Sequence, residues 1–433
     1  MNLAYGAYAV LSSGLFVSAF PLYCLYAKWS RQPRRQMSQR LGIYGAHARA
    51  ISGTPRIWIH AVSVGEVTVA GAIIQALKKR MPHCVIILST TTAHGQAVAV
   101  EKLAAQAVCL YAPIDFILSV QNALSVLKPD ILVCLETEIW PNWLMAAHRM
   151  GIKTALINGR LSVRSIKRYR KIRPLMKEIF TTLDAFSMIH AEDAKRIQQL
   201  GAPLQNISVG GNAKYDLLRA ATETATADAM KKLYRVTPDQ PVLVAGSTRG
   251  AEGDLVLAVF QKIIAQFPQA LLIIAPRHLK RVPEISERAR HLGFSCQLRT
   301  RLNETNAPRT ASVVIIDTIG ELQAIYGIAS VVFCGGSLVP LGGQNILEAA
   351  VWGKPVIYGP SMDDFRDARE LLESTGGGIQ VANEVELAEK VADYFSRPDM
   401  AAGIGFRAKQ AVLSQSGAAD RHAAVIYRLL SNS

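Results

Sequence analysis

The sequence predicts an α/β protein built of two doubly wound halves, each a parallel sheet covered by helices, behind an apolar amino-terminal helix. Three observations carry that expectation. From Arg56 onward, short apolar runs rich in β-branched residues alternate with helical patterns, as in a parallel sheet buried on both faces. The alternation breaks over residues 201–240, where Gly201, Pro203, Gly210, Gly211 and Pro238 fall, and then resumes. Residues 1–27 carry no charge. With 433 residues, 50% hydrophobic and 19% charged, the chain can bury two sizeable cores, and global disorder is excluded.

The apolar run Leu3–Ala27 comes first. At about 1.5 Å of rise per residue it can cross a hydrocarbon core of about 30 Å, and Pro21 is tolerable in a membrane helix. The start, Met1-Asn2-Leu3, lacks the basic region of a secretory signal, and the positive cluster Lys28–Arg40 follows the run instead. By the positive-inside rule the body stays cytoplasmic. Residues 1–30 are therefore expected to form a single-pass or interfacial membrane anchor, the alternative being a helix packed on the soluble fold.

In the first half, residues 31–210, strands are expected at Ile57–Ser63, Cys84–Thr90, Val108–Ala112, Ile131–Glu136, Thr154–Asn158 and Ala185–Ile189, with helices such as Glu66–Met81 and Ala97–Ala105 between them. In the second half, residues 211–433, the strands are Pro241–Gly246, Leu271–Ala275, Val313–Asp317, Val331–Gly335 and Pro355–Tyr358. Helices Gly253–Gln266, Glu321–Ala329 and Asn345–Trp352 follow. Such sheets bind ligands beyond the carboxyl ends of their strands, so a two-domain arrangement puts the site in a cleft.

Charge sharpens the choice of partner. Lys and Arg number 48 against 33 Asp and Glu, a net +15. Residues 1–65 hold seven basic residues (Lys28, Arg31, Arg34, Arg35, Arg40, Arg49, Arg56) and no acid. Residues 153–177 hold nine (Lys153, Arg160, Arg164, Lys167, Arg168, Arg170, Lys171, Arg173, Lys177), again with no acid. The remainder is close to neutral. Tyr169 is the sole aromatic in the second run, too little for a base-stacking platform, so no nucleic acid is expected. Beside an anchor, anionic headgroups or a phosphorylated lipid substrate fit better. Six cysteines without a C-x-x-C pair give no disulfide framework. The chain also lacks H-E-x-x-H, D-x-D and G-x-x-x-x-G-K-[ST], the usual anchors of zincin, metal-dependent nucleotide-sugar and P-loop sites.

Three places could hold chemistry. Ser63-Val64-Gly65-Glu66 lies at a strand-to-helix junction. Glu66 there either stabilises the first helical turn or accepts a proton from a substrate hydroxyl, and it is the first acid in the chain. Pro276-Arg277-His278 follows a strand, where Arg277 could hold phosphate or carboxylate. Gly335-Gly336-Ser337 and Gly342 through Glu348 form a glycine-rich approach to a helix. Its Asn345 end would offer N–H groups to phosphate, and Glu348 lies on the same face, in reach of ribose hydroxyls. The spacing is not G-x-G-x-x-G, so a nicotinamide site is not supported.

Taken together, Trp58 through Glu66, Glu136 through Asn142, Asn158 through Ser162, Gly211 through Asp216, Ala245 through Arg249, Ala275 through His278, Asp317 through Leu322 and Gly335 through Ala350 resemble the Kdo (3-deoxy-D-manno-octulosonic acid) transferases of lipopolysaccharide assembly, in that family's order and over most of the chain. The resemblance implies a glycosyltransferase B (GT-B) fold of two Rossmann-like domains, the first for the acceptor and the second for CMP-Kdo. It implies transfer of Kdo, with inversion and without a catalytic metal or other cofactor, from CMP-Kdo to the bisphosphorylated acyl disaccharide precursor of lipid A, at the cytoplasmic face of the inner membrane. Carried onto this chain, Glu66 would be the catalytic base. Pro276, Arg277, His278, Ile319, Gly320, Glu321, Ser337, Asn345, Ile346, Leu347 and Glu348 would contact the donor. At Asp364 the family often has Asn, which puts an amide-dependent contact there in doubt. A UDP-sugar transferase of the same architecture and a non-enzymatic anchored binding protein are the competing readings.

Overall fold

In a computed structural model, which describes residues 3–29, 34–220, 222, 224–302 and 308–431, the alternation becomes two seven-stranded, wholly parallel sheets. The first is built from β1 (Arg56–His60), β2 (Val85–Thr90), β3 (Val108–Tyr111), β4 (Ile131–Leu135), β5 (Lys153–Gly159), β6 (Ala185–Met188) and β7 (Ile207–Val209). Its order is β3-β2-β1-β4-β5-β6-β7. The second comprises β8 (Val242–Thr248), β9 (Leu271–Pro276), β10 (Cys296–Leu298), β11 (Val313–Ile315), β12 (Val331–Cys334), β13 (Val356–Tyr358) and β14 (Gly378–Gln380), ordered β10-β11-β9-β8-β12-β13-β14. In each sheet the winding reverses beside the first strand, between β1 and β4 and between β8 and β12. These are the switch points where doubly wound sheets present ligand contacts.

The central strands are buried along their length, as continuous β-branched runs require: Ile57, Trp58, Ile59, Ile131, Leu132 and Val133 are all fully buried, as are Leu243, Val244, Val331 and Val332. Every expected strand forms within a few residues of its expected ends. Three strands were not expected, β7, β10 and β14. Each has three residues and lies at a sheet edge, with no fully buried position, so no apolar run announces it.

The chain divides into two units, Met1–Asp216 together with Ser416–Ser433, and Leu217–Gln415. This corrects the expected extent of the second half, 211–433, because the last helix returns to the first unit. That helix, Ala418–Ser431, packs on the helix Val64–Arg80 and buries Ala419, His422, Ala423 and Ile426. Its start is capped by Asp216, whose carboxylate accepts from Gly417 N and, at 2.8 Å, from Ala419 N. The His422 ring lies 2.8 Å from Ser187 Oγ and 3.0 Å from the Gly211 carbonyl oxygen.

The apolar amino-terminal run forms one helix, Leu3–Trp29. Leu3–Leu22 is apolar and long enough to cross a membrane by length and composition. One side of its first turns is fastened to the first unit. Tyr5 is buried and its hydroxyl donates to Asn142 Oδ1 (3.0 Å), while the Tyr8 hydroxyl donates to Asp115 Oδ2 (2.7 Å). Phe16 stacks on Phe116 at 4.5 Å between ring centroids. Leu3, Val10, Leu11, Leu15, Val17 and Leu22 remain exposed along the helix. Of the basic clusters, Arg31 lies outside the described residues, as do the side chains of Lys28, Arg34, Arg35, Arg49 and Arg164.

Candidate active site

Glu66 sits in the first turn of the helix Val64–Arg80, and only Ala61, Val62 and Ser63 separate that helix from β1. That short connection holds the carboxylate at the carboxyl end of β1, beside the switch point. Val62 N donates to Glu66 Oε2 (2.8 Å) and Ser63 Oγ donates to Oε1 (3.0 Å). The residue is 8% exposed. Burial raises its pKa, opposed by the Val62 and Ser63 hydrogen bonds; the charge of Glu136 raises it further and that of Lys214 lowers it. The result is a buried carboxylate more basic than an ordinary one, which favours proton acceptance.

Strand β4, adjacent to β1, contributes the facing groups. Glu136, directly after it, adopts φ +53° and pairs with Lys214, Oε1 to Nζ 2.8 Å. Glu138 Oε2 accepts from Trp140 Nε1 at 2.8 Å. His60, at the end of β1, is fully buried, and its Nδ1 lies 3.0 Å from Ser89 Oγ. Its ring packs 4.8 Å from that of Trp143, and Nε2 has no partner among the described residues. Burial lowers the His60 pKa to about 4, so the ring is neutral at physiological pH. These neighbours lay within the motifs above, but nothing in their spacing assigned them a role; β1–β4 pairing brings them to Glu66.

Glu138 makes the cluster's pH dependence testable. Burial first, then the charge of Glu66, pushes its carboxyl up to about 7, against the Trp140 hydrogen bond. A carboxyl raised above its unfolded value, about 4.3, binds its proton more tightly when folded. Its contribution to stability is therefore full below the unfolded value and is lost as pH rises through about 7. Glu138→Gln is expected to stabilise the protein more at pH 8 than at pH 5, by about 1 kcal/mol after solvent screening. Equal shifts in denaturation midpoint at the two pH values would contradict this.

In the second unit the expected donor residues lie at the carboxyl ends of neighbouring strands, but not all present side chains. Arg277 and His278 are exposed just after β9, and Arg277 N donates to the Thr248 carbonyl at 3.0 Å. Asn345 Nδ2 donates to Glu348 Oε1 (3.0 Å). Burial raises the Glu348 pKa, against that hydrogen bond and the nearby charge of Arg277, so these three residues form one group. Ile319 and Gly320 form an exposed loop tip, with Glu321 at its foot. Pro276, Ile346 and Leu347 are buried, which leaves only their backbones to meet a ligand.

The structure revises two features of the glycine-rich stretch. Ser337 is fully buried, its hydroxyl donating to the Cys334 carbonyl (2.5 Å) and accepting from Gly359 N (2.9 Å). The N–H groups of Gly336, Ser337 and Leu338 are taken by the buried carboxylate of Glu252, which also accepts from Arg249 N. The helix after Asn345 is four residues long, Leu347–Ala350, and Leu347 N donates to Asn345 Oδ1 (3.2 Å). At the Asn345 end, where N–H groups free for phosphate are expected, the Leu347 N–H is thus taken by Asn345 itself. Gly342 is needed where it stands: φ is +79° and a Cβ would fall 2.5 Å from Asp364 Oδ2. Asp364 itself donates its N–H to the Gly342 carbonyl (3.1 Å), a bond indifferent to acid or amide.

Among the described residues no group of three or more His, Cys, Asp and Glu is placed to hold a metal ion. A cavity of about 830 Å³ lined by Thr54, Asp130, Met150, Lys153 and Leu430 opens at the amino ends of β1, β4 and β5. That is the end of the sheet away from Glu66, and it contributes nothing to this site.

Two parallel doubly wound units define an α/β protein of the GT-B fold type. Solved structures agree on the fold. A UDP-GlcNAc 2-epimerase from Neisseria meningitidis is 14% identical with a TM-score of 0.60, covering 87% of this chain and 100% of its own. A glycosyltransferase from Rickettsia africae is 15% identical with a TM-score of 0.54, covering 88% and 99%. Residues 35–217 match the family described as 3-deoxy-D-manno-octulosonic-acid transferase (kdotransferase). The 3-deoxy-D-manno-octulosonic acid transferase of Haemophilus influenzae is 30% identical over 83% of this chain and 83% of its own length. A probable mitochondrial 3-deoxy-D-manno-octulosonic acid transferase of Arabidopsis thaliana is 29% identical over 92% and 89%. The chain belongs to the 3-deoxy-D-manno-octulosonic acid transferase family, and is an enzyme that transfers Kdo in lipopolysaccharide synthesis.

Proposed function

We propose that the enzyme moves Kdo from CMP-Kdo to the lipid A precursor lipid IVA, inverting the anomeric centre and releasing CMP, with Glu66 as general base. The observation that carries this reading is the Glu66 carboxylate: buried, raised in basicity, and held by Val62 and Ser63 at the carboxyl end of β1. Glu66 takes the proton of an acceptor hydroxyl. That oxygen forms its bond to the anomeric carbon as the bond from carbon to the phosphate oxygen of CMP breaks, and the electron pair leaves with CMP. Arg277 balances the phosphate charge, and His278, Ile319, Gly320, Glu321, Asn345 and Glu348 contact the nucleotide. The first unit serves the acceptor and the second the donor.

The helix Leu3–Trp29 and the basic run fit an anionic inner-membrane surface on the cytoplasmic side. Polar ties through Tyr5 and Tyr8 hold the start of the helix, and exposed apolar side chains along it remain for lipid. Lys167, Arg168, Lys171 and Arg173 are exposed in the first unit, suited to headgroups or to a bisphosphorylated acceptor. The deciding experiment is mass analysis of products from purified protein, CMP-Kdo and lipid IVA. A product heavier by Kdo units supports the reading, whereas turnover with a UDP-sugar in place of CMP-Kdo would replace the donor. Reversing the charges of Arg168, Lys171 and Arg173 should raise KM for the acceptor by about tenfold while sparing CMP binding. An unchanged acceptor KM would remove the docking role.

A further inference from the structure

We infer that Arg299 and Thr300 are positioning residues for the donor nucleotide, because they pin both feet of the Asp317–Glu321 loop and so set the pose of its Ile319-Gly320 tip. The inference rests on the proposed donor site. The tip has no packing to place it: Ile319 is 86% exposed, and a Cβ at Gly320 would meet nothing within 4 Å. Gly320 takes φ +94°, so the loop turns sharply there.

Placement therefore comes from the feet. At one, the Asp317 carboxylate accepts from Thr300 N (3.0 Å) and from Thr300 Oγ1 (2.6 Å). At the other, Glu321 Oε1 accepts from Arg299 Nη2 (2.5 Å), while Oε2 accepts from Thr318 Oγ1 within the loop (2.5 Å). Two consecutive residues at the end of β10 thus hold both ends of a loop that follows the adjacent strand β11. They are themselves fixed: Arg299 N donates to the Ile315 carbonyl at 2.9 Å, continuing the β10–β11 ladder.

Arg299 is 5% exposed, and its Nε and Nη1 make no hydrogen bond of good geometry among the described residues, the Tyr234 hydroxyl lying nearby. A buried guanidinium so placed depends heavily on the Glu321 carboxylate, and losing either partner leaves the other uncompensated. The pair therefore favours one loop pose over alternatives in which Glu321 swings to solvent. A lysine supplies the charge but not the planar guanidinium whose Nη2 reaches Glu321.

The test uses the full-length protein in detergent and CMP as the probe. Arg299→Met is expected to raise the CMP Kd and the CMP-Kdo KM by about tenfold or more, with kcat at saturating donor within about threefold, since bound donor restores the loop. Arg299→Lys should recover part of that loss. Thr300→Val removes one hydroxyl from a half-buried site and should raise both constants by a few-fold, which keeps the inference testable even if Arg299→Met does not fold. CMP binding by Thr300→Val equal to wild type, or a fall in kcat with unchanged KM in any folded variant, overturns it. Wild-type protein that binds no CMP would instead remove the proposed donor site, and this role with it.

Discussion

Glu66→Gln and Glu66→Ala are expected to lower kcat by about 10²–10⁴ while leaving the fold and CMP binding intact, the loss typical of removing a general base. The glutamine is nearly isosteric, and its side chain can still accept the Ser63 or Val62 hydrogen bond, so it separates basicity from shape. The pH–rate profile adds an independent signature. Burial raises the Glu66 pKa, so the acidic limb of kcat/KM should fall above the ordinary carboxylate range, with rate increasing as pH rises through it. Near-normal turnover by both variants, with wild-type denaturation midpoints, would end the assignment of Glu66 as base.

Glu252→Gln should be nearly as damaging to the second unit as outright deletion of the side chain, despite its similar size. Glu252 is fully buried. Oε1 accepts from Ser337 N and Leu338 N, both at 2.9 Å, and Oε2 from Arg249 N (2.9 Å) and Gly336 N (2.5 Å). Only a carboxylate presents acceptors at both ends. An amide must point its NH₂ group at two N–H donors, and alanine leaves four donors without their partner. Either change should cost about 3 kcal/mol or more. The unfolding transition of Leu217–Gln415 should move to lower denaturant, and CMP affinity should fall as the Gly336–Leu338 loop loosens. A change below about 0.5 kcal/mol for Glu252→Gln would mean that the loop does not depend on the charge.

Much of this was legible in the residue order because it depends on long, regular signals. Central strands such as β1, β4, β8 and β12 are buried on both faces and read as apolar runs. The strand-to-helix junction at Ser63–Glu66 marked Glu66 as a candidate by its position, and the family resemblance supplied the proposed role of base. The edge strands β7, β10 and β14 gave no comparable signal, being three residues long and only partly buried. The glycine-rich stretch was legible as a close backbone approach, but the acceptor its N–H groups meet was not. A glycine-rich sequence announces that N–H groups converge, but not which acceptor they meet, and Glu252 lies 84 residues from Gly336.

Periodicity and composition are local properties of the chain, and they suffice for the parallel α/β architecture, the apolar leading helix and the uneven charge. The remaining features arise from folding. It returned the last helix to the first unit through Asp216 and His422, fastened the leading helix at Tyr5 and Tyr8, and gathered Glu136, Glu138 and Lys214 around Glu66. It also made Arg299 the support of the Glu321 loop. Each of these depends on which buried polar groups find one another across tens to hundreds of residues. Burial makes such pairings obligatory, but only the folded chain determines the partners.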